Sequence, residues 1–105
     1  MYSYPSIDLG NIEIQDWEKL IDFVEKAGKP FVSFGDSIGV MTKRRDWRFT
    51  ICKLYRKGIW EITLNAIRNP YKKIEQLRAI KKKEWDWAEK QARNFIDMFK
   101  RGELQ

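Results

Sequence analysis

The stretch RFTICKLYRKGIWEITLNA, residues 48–66, decides the fold. Lys57-Gly58 is a two-residue turn between two runs of alternating polar and apolar side chains, the signature of an antiparallel β-hairpin. Closing the chain at that turn pairs Tyr55 with Trp60, Ile51 with Leu64 and Phe49 with Ala66, all on one face. The other face receives Arg48, Thr50, Cys52, Leu54, Arg56, Ile59, Glu61, Thr63 and Asn65, as expected of a sheet solvated on one side. Lys53 interrupts the apolar face opposite Ile62, and its stem is expected to run out past the sheet edge.

Working upstream, Gly35-Asp36-Ser37 and Arg44-Arg45-Asp46 are further turn signals, so the β region spans 31–67 and holds three or four antiparallel strands. Before it, Trp17, Leu20, Ile21, Val24 and Ala27 recur at spacings of three and four. Gly28-Lys29-Pro30 supplies a stop, which predicts a short amphipathic helix over 16–28. Residues 1–11, with Pro5 and Gly10 and no periodicity, read as an irregular lead-in. Downstream, Asn69-Pro70 has the form of a helix N-terminus, and an apolar stripe from Ile74 to Phe99 predicts one long helix over 70–101, ended by Gly102. The sum is a single α+β domain over 1–105.

Thirty-two helical residues would span roughly 48 Å, against a radius of gyration of about 13 Å for a chain this size. The helix must therefore break, overhang or find a partner. Trp85, Ala88, Ala92, Phe95 and Phe99 keep a spacing suited to a seam between two subunits of a homodimer; the alternative is that they cover the chain's own sheet. Lys81 falls inside the stripe, where an unpaired ammonium is costly unless the helix leaves the sheet there or an anion approaches.

Composition narrows the chemistry. The 105 residues include no His and a single Cys, Cys52, which excludes Ser-His-Asp and Cys-His relays, Cys/His zinc sites and intrachain disulfides. Asp46 and Glu61 are candidate carboxylates for a metal-dependent nuclease, but Glu61-Ile62-Thr63 lacks the lysine that such a site needs. A metal-free ribonuclease would have to use Arg48, Lys53, Tyr55 and Arg56. Gly35-Asp36-Ser37-Ile38-Gly39 lacks the ending of a phosphate loop. No cofactor is implied. With neither a secretory signal nor a membrane span in the pattern, a soluble, cytoplasmic protein is expected, and the high charge with little Cys or His leans toward a thermophilic source.

Charge is strongly regional. Residues 1–42 carry 3 basic and 7 acidic side chains, residues 43–83 carry 14 and 3, and residues 84–105 carry 4 and 5. Such a concentration can neutralise several phosphates, with affinity that falls steeply with salt. The nucleic-acid-binding groups expected are Lys43, Arg44, Arg45, Arg48, Arg56, Lys57, Arg68, Lys72 and Lys73, with Arg44, Arg45, Arg48, Arg56, Lys57, Lys72 and Lys73 holding phosphates; Arg78, Lys81, Lys82 and Lys83 extend the same positive surface. Trp47, Tyr55 and Tyr71 lie among them as candidates for stacking on bases, whereas Phe49 and Trp60 read as core. The order of helix, basic sheet and long C-terminal helix looks like that of small dimeric single-strand DNA binders, a likeness of topology and charge alone. The expected function is binding of nucleic acid, single strands above all, without strong sequence specificity. Its rival is a small viral or plasmid-borne interaction module that docks on an acidic protein with the same surface.

Overall fold

The computed structural model describes residues 6–102. Five strands form one antiparallel sheet: β1 (Ile7–Glu13), β2 (Val32–Phe34), β3 (Ser37–Met41), β4 (Trp47–Arg56) and β5 (Ile59–Arg68), in the order β1-β5-β4-β3-β2. Helix α1 (Trp17–Ala27) connects the two edge strands, and α2 (Lys82–Arg101) closes the chain. The fold is α+β as expected, with five strands where the sequence suggested three or four.

The hairpin register is the one read from the turn: Tyr55 pairs with Trp60, Ile51 with Leu64 and Phe49 with Ala66. Lys57 and Gly58 both take positive φ, 53° and 81°, which matches the strand twist and keeps the two-residue loop tight. Lys53 does not escape past the edge. Its ammonium lies 4.8 Å from the Trp17 ring centroid and 4.5 Å from that of Trp60, and 3.5 Å from an Asp36 carboxylate oxygen. The two indoles and the carboxylate supply the partners that an ammonium on an apolar face requires.

Two expectations about chain ends are corrected. The lead-in is a strand from Ile7 onward, paired with β5; residues 1–5 lie outside the described part. Its pattern was hidden by an irregularity between Asp8 and Gly10 that shifts the register. Gly10 takes φ 97° and its amide donates to the Asp8 side chain at 2.9 Å. The extra residue puts Ile7, Leu9 and Ile12 out of strict alternation. The long helix is also broken. Asn69-Pro70 opens a turn, with the Tyr71 amide donating to the Asn69 side chain at 2.9 Å. A 3-10 turn follows at Ile74–Gln76, and α2 begins only after Lys81, which keeps extended φ and ψ of −76° and 148°. Lys81 therefore flanks the helix and lies outside its apolar stripe.

Both helices pack on the face of Phe49, Ile51, Ile62 and Leu64. Phe95 meets Phe23 and Phe31 edge-on, Phe99 meets Phe23, and Trp85 meets Phe49. Ala88 and Ala92 are fully buried. The seam expected to meet a second subunit is thus spent inside this chain's own core. Among the described residues no helix is long and apolar enough to cross a membrane.

Among the described residues no helix covers the opposite sheet face. On it Arg48 lies flat, its guanidinium 4.9 Å from the Phe34 ring centroid and its Nε donating to Thr50 Oγ1 at 3.2 Å. A Cβ at Gly39 would meet the Phe49 carbonyl oxygen at 3.0 Å and the Arg48 side chain at 3.1 Å. Gly39→Ala should therefore cost about 1–2 kcal/mol, read as a lower urea midpoint at unchanged slope. An unchanged midpoint would contradict this packing.

Candidate nucleic-acid interface

The β3–β4 turn is built around a buried carboxylate. Asp46 is 1% exposed; it accepts the Thr42 hydroxyl at 2.6 Å and faces the Arg78 amide at 3.5 Å and the Arg78 Nε at 3.6 Å. The Thr42 amide donates to the Trp47 carbonyl at 3.0 Å, and the Arg45 amide donates to the Thr42 carbonyl at 2.9 Å. With its polar interior satisfied this way, the turn leaves Lys43, Arg44 and Arg45 exposed. Arg45 sits in the left-handed region, φ 56°.

The segment after β5 is tied to the same turn. Asn69 donates its amide to the Asp46 carbonyl at 2.8 Å and its side-chain nitrogen to the Arg45 carbonyl at 2.7 Å. Arg68 pairs with Trp47 in the ladder. Trp47 donates Nε1 to the Arg78 carbonyl at 2.8 Å, and the Arg78 guanidinium grips Glu84 with two bonds, 2.6 and 2.8 Å. Glu84 in turn accepts the Lys81 amide at 3.1 Å. Asp46, Arg78 and Glu84 thereby fasten the start of α2 to the β3–β4 turn and bring Lys81 and Lys83 to the end already occupied by Lys43 and Arg44.

A cleft of about 620 Å³ lies between these elements. Its lining includes Met41, Phe49 and Trp87 as apolar groups and Lys43, Arg44, Arg78, Lys81 and Lys83 as cations. Lys82 faces away and pairs with Asp86 at 2.8 Å. Among the described residues Lys43, Arg44, Arg45, Lys73, Lys81 and Lys83 make no ion pair, so their field is not cancelled locally.

The residues singled out from sequence divide in two. Lys43, Arg44, Arg45, Arg68, Tyr71, Lys72 and Lys73 gather at the turn end, with Tyr71 almost wholly exposed. Tyr55, Arg56 and Lys57 belong to the opposite end of the hairpin. Arg56 is eight residues beyond Arg48 along β4, about 27 Å at strand spacing, and it pairs with Glu61 at 3.7 Å. Arg48 lies across the open sheet face, held by Phe34 and Thr50. Trp47 is corrected outright: at 4% exposure, with its indole nitrogen engaged, it is core and cannot stack on a base. The carboxylates considered for a nuclease also separate, since Asp46 is consumed in the brace and Glu61 lies far along the hairpin.

The cleft was missed because α2 was expected to start at residue 70. Glu84, three residues after Lys81, is the position from which an acidic side chain reaches back to a helix N-terminus, and that spacing was the available signal.

Two carboxyls of the brace link its stability to pH. Burial raises the Asp46 pKa, but the Thr42 hydroxyl, the backbone amides and the Arg78 charge outweigh it and hold the carboxyl below its ordinary 3.8. The Arg78 hydrogen bonds lead the effects that hold Glu84 below its ordinary 4.5. In both cases the unfolded chain binds protons more readily, so the stabilisation is complete above about pH 5 and is lost as pH falls through the depressed folded values. The melting temperature should fall with acidification below about pH 4 more steeply in the wild type than in Asp46→Asn. Parallel curves would contradict the assignment. No protein-family model, curated protein or solved structure matches the chain.

Proposed function

We propose that the protein binds nucleic acid without strong sequence specificity, favouring single strands, through the cationic end formed by the β3–β4 turn, the segment after β5 and the start of α2. The observation that carries this reading is the convergence of Lys43, Arg44, Lys81 and Lys83, none of them ion-paired among the described residues, around a cleft with apolar walls. Three separate stretches of chain are held there by hydrogen bonds centred on the buried residues Asp46 and Trp47, which sets an array of charges for a phosphate backbone. Exposed Tyr71 beside Lys72 and Lys73 adds a ring on which a base can stack.

The test is a fluorescence anisotropy titration of the protein with labelled single-stranded DNA, the matching duplex and single-stranded RNA, at low and moderate salt. Binding of a single strand that weakens steeply with salt is expected. Absence of binding to all three at low salt would overturn the reading and turn attention to an acidic protein partner.

A further inference from the structure

The cleft combines two chemistries. Met41, Phe49 and Trp87 give it apolar walls, while Lys43, Arg44 and Lys83 stand among them as cations. Its carboxylate, Glu84, is already held by both terminal nitrogens of Arg78, so the remaining cations have no partner within the cleft. The volume, about 620 Å³, falls within the roughly 300–1,000 Å³ of small-ligand sites. Trp87 follows Lys83 by four residues on α2, so indole and ammonium share a helix face. It is 43% exposed, whereas nearby Trp85 is turned inward against Phe49 at 5.2 Å between centroids. A large ring left open to water beside several cations that make no ion pair among the described residues suits a flat ligand that is apolar on its faces and anionic at its edge.

We propose that the cleft takes one unpaired nucleotide, its base stacked on Trp87 and its flanking phosphates on Lys43, Arg44 and Lys83, and that this contact is the source of the preference for single strands. The inference rests on the nucleic-acid reading above. In a duplex both faces of each base are covered by neighbours, and a base reaches Trp87 only after extrusion from the stack. A perfect duplex therefore touches the surrounding cations and leaves the cleft unused. A single strand, or a duplex with one bulged nucleotide, offers a base without that cost.

The experiment compares four probes by anisotropy: a single strand, the perfect duplex, the duplex with one bulged thymidine, and the same bulge with an abasic residue. The wild type should bind the single strand and the thymidine bulge about tenfold more tightly than the perfect duplex or the abasic bulge. Trp87→Ala should lose about tenfold on the first two and nothing on the others, at an unchanged salt slope, and Trp87→Phe should recover most of the loss. Thermal melts of both variants verify folding. Equal binding of thymidine and abasic bulges, or wild-type affinities in Trp87→Ala, would overturn the cleft assignment and leave the nucleic-acid reading standing. Failure of the wild type to bind any probe would overturn both.

Discussion

Replacing Asp46 with Asn should destabilise the protein by about 3 kcal/mol, a drop in melting temperature on the order of 10–20 °C for a domain of this size. The two carboxylate oxygens have different work. One accepts the Thr42 hydroxyl at 2.6 Å, and the other faces the amide and Nε of Arg78 at 3.5 and 3.6 Å. An asparagine fits the space, but it has one acceptor oxygen and sets a nitrogen donor against donors on the other side. It also removes the negative charge that, with Glu84, neutralises a guanidinium that is only 22% exposed. Because Arg78 keeps its two bonds to Glu84, the loss should stay at the lower end of that for a broken buried pair. Arg78→Met in the Asp46→Asn background should cost less than in the wild type, since the interaction is already gone. Additive losses in that cycle would show that the two residues act independently. The same brace positions Lys43 and Arg44, so Asp46→Asn should also weaken nucleic-acid binding at temperatures where it remains folded.

Reversing the cations of the turn and helix start, Lys43→Glu, Arg44→Glu and Lys83→Glu together, should weaken binding of single-stranded DNA by a hundredfold or more at moderate salt. Several phosphate contacts are removed and replaced by repulsion. All three side chains are exposed, so the fold should be retained. The control is Lys19→Glu, Lys26→Glu and Lys29→Glu, which changes net charge by the same amount on the exposed surface of the acidic first third of the chain. That variant should lose several-fold at most, through the long-range field alone. Equal losses in the two triples would mean that net charge acts and the turn has no special part.

The hairpin was legible from residues 48–66 because turn type, alternation and cross-strand pairing are all local, and each constrains the others. Helix α1 was legible for the same reason, with Gly28 at φ 80° as its stop. What escaped was set by tertiary contacts. An apolar stripe at helical spacing does not reveal that Leu77 and Ile80 reach the core from irregular chain, nor that Asn69 caps a turn and not a helix. In β1 the irregularity at Asp8–Gly10 erased the period on which strand recognition depends. At the candidate interface the charge concentration was plain from sequence, but its geometry was not. The length of β4 divides it into two ends, burial takes Trp47 out, and the Asp46–Arg78–Glu84 brace brings in Lys81, Lys83 and Trp87 from across a loop.

The most direct measurement is the salt dependence of single-stranded DNA affinity for the wild type and for the neutral triple Lys43→Gln, Arg44→Gln, Lys83→Gln. For single strands each phosphate contact contributes about 0.7 to the slope of log affinity against log salt. If these three side chains hold phosphates, the slope should become shallower by about 2 in the triple, with the affinities converging at high salt. A wild type that binds without salt dependence, or a triple with the wild-type slope, would contradict the account.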